Sequence, residues 1–178
     1  YISCIAVDPT DGDKIMVVFS NYAVYSLFYT SDGGATWAKA AGNLEGNVSG
    51  TGSGPSIRWA SIIPVSDGVI YMVAGSTGVY ATDSLNGTST VSLQQGAHTI
   101  GNSVCDMIDY RLSDGLVVVA THSNGIFSAN ITSVNDIVSI NDITASKQEL
   151  QLSNYPNPMN QSTTIEFKLD KKENVNLV

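Results

Sequence analysis

The chain has 178 residues, enough for one ordinary domain with a real core. It is 43% apolar and only 13% charged, with 16 Gly and 5 Pro, which excludes a charged disordered chain, a collagen-like repeat and a coiled coil. Asp and Glu outnumber Lys and Arg by 16 to 8, so a phosphate backbone would be repelled and nucleic acid is not an expected partner. No apolar run is long enough for a helical membrane span. Ser, Thr, Asn and Gly take over the surface role usually filled by Lys and Glu, a bias shared with secreted all-β proteins. The opening Tyr1-Ile2-Ser3-Cys4 lacks an initiator Met and a signal-peptide core, and the chain stops inside the alternating stretch Asn174–Val178. A fragment of a longer protein is expected.

In chain order, three short β-branched runs stand out: Ile15–Phe19, Val69–Ala74 and Leu116–Ala120. Each follows an Asp-Gly turn, at Asp11-Gly12, Asp67-Gly68 and Asp114-Gly115. An apolar segment precedes each run, at Ile2–Val7, Ile57–Ile63 and Val104–Tyr110. A Gly-apolar-aromatic phrase follows two of them, Gly78-Val79-Tyr80 and Gly125-Ile126-Phe127. No window keeps a helical apolar period, so the expected class is all-β. The three turn glycines are spaced by 56 and 47 residues. A period of that size with about four short strands per unit is the mark of a β-propeller blade. Blade one is expected over 1–44, blade two over 56–97 and blade three over 102–131, with a Gly/Ser connection at 46–54. The third blade shows no fourth strand.

Between the last two strands of blade one lies Thr30-Ser31-Asp32-Gly33-Gly34-Ala35-Thr36-Trp37. It resembles the Asp-box, S/T-x-D-x-G-x-T-W, at Thr30, Asp32, Gly34, Thr36 and Trp37. This is the bacterial neuraminidase repeat of sialidase-like, xyloglucanase-like and sortilin-like propellers. The local expectation is that Asp32 accepts hydrogen bonds across the turn and that Gly34 supplies a φ the turn requires. Thr36 is then expected to open the outer strand, with Trp37 packed in the blade core. In these families the box lies on the rim, so the resemblance implies a fold rather than a chemistry. Blades two and three lack it.

A second resemblance covers Asn154-Tyr155-Pro156-Asn157-Pro158-Met159-Asn160 and Thr163-Thr164-Ile165-Glu166-Phe167. This is similar to the opening of the C-terminal sorting domain of type IX secretion substrates, a small β-sandwich, with Met159 in place of the usual Phe. Pro156 and Pro158 restrict the backbone to extended or turn geometry. Thr164, Glu166 and Lys168 then alternate with Ile165, Phe167 and Leu169, as in a strand buried on one face. The expected organisation is terminal blades at 1–131, a linker or extra edge strand at 132–151, and a truncated sorting domain at 152–178. The resemblances imply an extracellular or surface protein of a Gram-negative bacterium, exported by the type IX machinery, with a polysaccharide or glycoprotein ligand. The expected role of this segment is scaffold and export. The alternative is the end of a xyloglucanase- or sialidase-like glycoside hydrolase whose catalytic residues lie upstream.

Chemistry within the chain is sparse. The two arginines, Arg58 and Arg111, open the first segments of blades two and three and, with Asp106, are the candidates for facing a central channel. The simpler reading pairs each arginine with an Asp. A sialidase needs an arginine cluster for its substrate carboxylate. A glycosidase needs two facing acids, and the three-residue spacing of Asp106 and Asp109 sets them on opposite strand faces unless a bulge intervenes. Asp8, Asp11 and Asp13 form an acidic turn without the Gly and Glu placement of a calcium loop. His98 and His122 have no partner at metal spacing. Neither a phosphate-binding loop nor a nucleophile elbow occurs, so no catalytic residue, metal or cofactor is assigned. Cys4 and Cys105 sit at similar places in blades one and three and are expected to remain free thiols.

Overall fold

The computed structural model describes residues 1–47, 49, 50, 52, 54–137, 152–155 and 164–167. The chain divides into two compact units, Tyr1–Ser139 and Ile140–Val178. The first is built from three antiparallel meanders, none of which closes on itself. Sheet one holds β1 (Ile2–Asp8), β2 (Asp11–Phe19), β3 (Leu27–Thr30) and β4 (Ala38–Lys39). Sheet two holds β5 (Ile57–Val65), β6 (Gly68–Gly75), β7 (Gly78–Thr82) and β8 (Leu93–Gln95). Sheet three has β9 (Cys105–Arg111), β10 (Leu116–Thr121) and β11 (Ile126–Asn130). In the second unit β12 (Leu152–Tyr155) pairs with β13 (Thr164–Phe167), Leu152 opposite Phe167 and Tyr155 opposite Thr164. The all-β expectation holds. No helix among the described residues is long and apolar enough to cross a membrane.

The three sheets share one register. Each first strand carries an irregularity in which one residue has no counterpart on the second strand: Ser3 in β1, Arg58 in β5 and Asp106 in β9. Such an extra residue bends the strand and re-aims its side chain. Beyond the bulge the pairs Ile5↔Val17, Ala60↔Val73 and Ile108↔Val119 occupy the same place in their sheets. Before it the ends close in the same way: the N–H groups of Ser20, Ser76 and His122 donate to the carbonyls of Tyr1, Ser56 and Val104, at 3.2, 3.0 and 2.8 Å.

These matched positions define the core. Sheet two turns Ile57, Ala60, Ile62 and Val73 toward Cys4, Met16 and Val18 of sheet one, and all are buried. Sheet three turns Cys105, Ile108, Val117 and Val119 in the same way toward Ile63, Met72 and Ala74 of sheet two. Strands β1, β5 and β9 therefore lie side by side, β5 and β9 each pressing one face on the sheet before it. In sheet one the equivalent face of the first strand is exposed: Ile5 is 62% exposed, where Ala60 is 1% and Ile108 2%. Sheet two is covered on both faces, which is why Ile57–Val65 reads as a nearly unbroken apolar run rather than an alternating one.

Residues 132–137 open the stretch expected as a linker or extra edge strand. Val134–Asp136 forms one 3-10 turn with a capping box between Ser133 and Asp136. Asp67, from the turn before β6, accepts from the Ser133 hydroxyl at 2.8 Å and from the Val134 N–H at 2.9 Å. Val134 and Ile137 pack on the core between sheets two and three. Two polar anchors and two apolar contacts make these residues part of the first unit. The rest of the expected linker, 138–151, lies outside the described residues.

Cys4 and Cys105 are both free and buried, facing sheet two from its two sides. Burial raises both thiol pKa values, chiefly by desolvating the thiolate. Neither should react with iodoacetamide until the chain is denatured, after which both should be alkylated. A Cys4–Cys105 disulfide peptide in a non-reducing digest would contradict this packing.

Candidate functional site

The bulges bring side chains from separate sheets to one end of the first strands. Arg58 Nη1 lies 2.5 Å from Asp106 Oδ1, and His122 Nδ1 lies 3.3 Å from Asp106 Oδ2. Ser20 and Ser56 meet beside them, Oγ to Oγ at 3.4 Å. Arg58 and Asp106 stand together here, two of the three residues the sequence singled out for a channel. Arg111 does not join them. It sits at the far end of β9, where Nε and Nη2 grip the two oxygens of Asp114 at 2.8 and 2.6 Å across the β9–β10 turn. That bidentate pair holds Asp114 below the usual carboxylate range.

Asp106 is the bulged residue and Asp109 lies three further on, exposed and without the Arg58 and His122 contacts. His122, set aside from sequence as solitary, was missed because its partner is sixteen residues away. The signal was available in register: His122 follows the second strand as Ser20 and Ser76 do. The cluster can accept and donate hydrogen bonds to a polar ligand; it holds no activated nucleophile. No group of three or more metal-ligating side chains occurs among the described residues. In the acidic turn Asp8 Oδ1 takes the N–H and hydroxyl of Thr10 while its buried Oδ2 has no hydrogen-bond partner among the described residues, and Asp11 pairs with Lys14 at 3.1 Å.

Two cavities open between sheets two and three. One, about 340 Å³, lies at the Arg111 end between Ile63, Val65, Tyr110 and Ile131. The other, about 320 Å³, is walled by Met72, Val79, Val117, Val119 and Phe127.

The Thr30–Trp37 segment turns the chain from β3 into β4. Asp32 Oδ1 takes the Thr30 hydroxyl at 2.7 Å and the Thr36 N–H at 2.9 Å, while Oδ2 takes the Thr36 hydroxyl at 2.6 Å. The buried Thr30 oxygen in turn accepts the N–H of Gly34 at 3.1 Å. Gly34 has φ +94°, a backbone conformation that disfavours any Cβ. Trp37 corrects an expectation: it is 44% exposed and outside the core. Its indole lies over Gly34 and donates to the Gly34 carbonyl at 3.1 Å, because the turn folds it back on itself rather than inward. Thr36 is spent on Asp32, so β4 starts only at Ala38. Sheet two keeps one element of this turn: Thr82, at the Thr30 position of the register, accepts the N–H of Ser84 as Thr30 accepts that of Asp32, both at 3.3 Å.

Asn154 and Tyr155 end β12. Pro156, Asn157 and Pro158 lie outside the described residues. The geometry defines a class of protein, stacked antiparallel meanders with a polar cluster where their first strands meet. No family model, curated protein or solved structure matches the chain.

Four donors hold the Asp32 carboxylate at a pKa of about 2, the Thr36 hydroxyl first among them. The folded value lies below the unfolded one, so the stability it adds is present above about pH 4 and lost as pH falls toward 2. Asp32→Ala should lower Tm at pH 7, and the gap from wild type should close on titration to pH 2. An unchanged gap would show that the carboxylate charge is not what the turn uses. A second expectation concerns Arg58 and Asp106, both more than a third exposed. A double-mutant cycle with Arg58→Ala and Asp106→Ala should give a coupling of only about 0.2–1 kcal/mol. A coupling several times larger would mark the pair as a structural linchpin.

Proposed function

We propose that the chain is the scaffold-and-export segment of a secreted or surface-attached Asp-box β-propeller that binds a polysaccharide or glycoprotein outside a Gram-negative cell. The observation that carries the reading is the shared register of the three sheets, with bulges at Ser3, Arg58 and Asp106 and first strands side by side. Repeated sheets stacked in this way are the building principle of a propeller. The Asp32 turn supports it through the hydrogen bonds that the Asp-box pattern requires. The Arg58–Asp106–His122 cluster offers donors and acceptors suited to hydroxyl-rich ligands. Residues from 152 onward carry the sorting-domain resemblance and supply the link to type IX export. The hydrolase reading gains no support from Asp106, which is engaged by Arg58 and His122.

The test uses the intact protein on an array of neutral and acidic polysaccharides and glycoproteins, with release of reducing ends followed in parallel. Saturable binding without turnover is expected. In a type IX-competent host, deletion from residue 152 onward should abolish appearance in the medium. Turnover of a bound glycan would install the hydrolase alternative, and absence of any ligand together with undiminished export would overturn the reading.

A further inference from the structure

We propose that Asn124 is a site of spontaneous covalent modification, converting in the folded chain to aspartate and isoaspartate through a cyclic imide formed with Gly125. The reaction is open to any Asn or Asp followed by glycine, whose missing side chain leaves the next backbone nitrogen unhindered. That nitrogen gives its proton to hydroxide and attacks Cγ. From Asn, the Cγ–Nδ2 bond breaks and ammonia leaves. Water then opens the ring at either carbonyl: at Cγ it yields aspartate, and at the main-chain carbonyl it yields isoaspartate, with the chain rerouted through the side chain.

The sequence holds six such pairs: Asp11-Gly12, Asp32-Gly33, Asp67-Gly68, Asn86-Gly87, Asp114-Gly115 and Asn124-Gly125. The fold tethers all but the last. Asp11 is held by Lys14 and the Asp13 N–H, Asp32 by Thr30 and Thr36, Asp67 by Ser133 and Val134, and Asp114 by Arg111. These donors lower the pKa of all four carboxyls, and an ionised carboxylate is a poor target for attack. The N–H groups of Gly33 and Gly115 are engaged as well, by the carbonyls of Asp13 and Arg111, both at 3.0 Å. Asn86 donates from Nδ2 to Ser84 Oγ at 3.4 Å and from its N–H to Thr90 Oγ1 at 2.9 Å, and it caps the 3-10 turn Gly87–Ser89.

Asn124 differs on every count. It is exposed, in the turn between β10 and β11, and its side-chain amide has no hydrogen-bond partner among the described residues. The turn around it is pinned at Thr121, whose Oγ1 takes the Asn124 N–H at 3.0 Å and donates to the Gly125 carbonyl at 2.6 Å. The reacting atoms themselves are left free, for the Gly125 N–H meets no acceptor among the described residues. Gly125 has φ +83°, and no atom lies within 4 Å of the place a Cβ would take, which leaves room for the imide ring. Either product brings a carboxylate to the turn that carries His122, at the end of the stack where Arg58 and Asp106 meet.

The intact chain is kept folded at mildly alkaline pH, with a parallel sample in urea, and isoaspartate is mapped in digests by enzymatic methylation and mass spectrometry. In the folded chain Asn124 should convert about tenfold faster than Asn86, the rate equivalent of one net hydrogen bond, with the four Asp-Gly pairs slower still. In urea the two Asn-Gly pairs should react at similar rates, because the tethers are gone. Asn124→Gln, which would need a larger and slower-forming ring, should remove the early isoaspartate from the folded chain. Equal rates at Asn86 and Asn124 in the folded chain, or first conversion at any other site, would overturn the proposal. So would the same gap persisting in urea, which would make the preference a property of local sequence, or early isoaspartate surviving in Asn124→Gln.

Discussion

Everything in the first unit depends on one contact made twice: the face of a first strand pressed against the front of the preceding sheet. Ala60 and Ile62 make it on sheet one, and Cys105 and Ile108 make it on sheet two. A single antiparallel meander cannot cover both of its faces, so such sheets are stable only as a stack. The middle sheet is the one satisfied on both sides. Sheet one ends with Ile2, Ile5 and Val7 facing solvent, a surface of the same build as the two that are covered.

The bulges solve a problem that this packing creates. Strands pressed together on both faces would otherwise present only apolar side chains where their ends converge. The extra residue breaks the alternation at one point, so Arg58 and Asp106 reach across from neighbouring sheets and His122 joins them. Polar side chains thereby enter at this end of the stack while Ile57 and Cys105, one residue away, stay fully buried. The Asp32 turn belongs to a different level of organisation. The bonds to Asp32, Thr30 and Trp37 close within the segment, and the Gly33 N–H ties it to the Asp13 carbonyl of β2 at 3.0 Å.

The sequence and the structure part company where a contact is long-range. The Asp32 turn was legible because every donor to the Asp32 carboxylate lies within a few residues. Trp37 was misjudged because exposure depends on where the turn aims the indole, which the motif does not encode. The pairing of Arg58 with Asp106 spans 48 residues of chain, and neither residue names its partner. Residues 132–137 carry the composition of a linker. Their capping box and the Asp67 anchor turn that polarity into attachment.

By itself the sequence determined the class, the strand positions and the repeat, since β-branched runs, Asp-Gly turns and their spacing are local properties of the chain. It also determined the staple at Asp32. The tertiary structure alone decided which faces are covered and which residue in each first strand is bulged out. It also decided that His122 belongs with Asp106. The physical reason is that burial and register are set by what lies across the sheet or in the next one, tens of residues distant, and a one-residue bulge reverses every side chain beyond it.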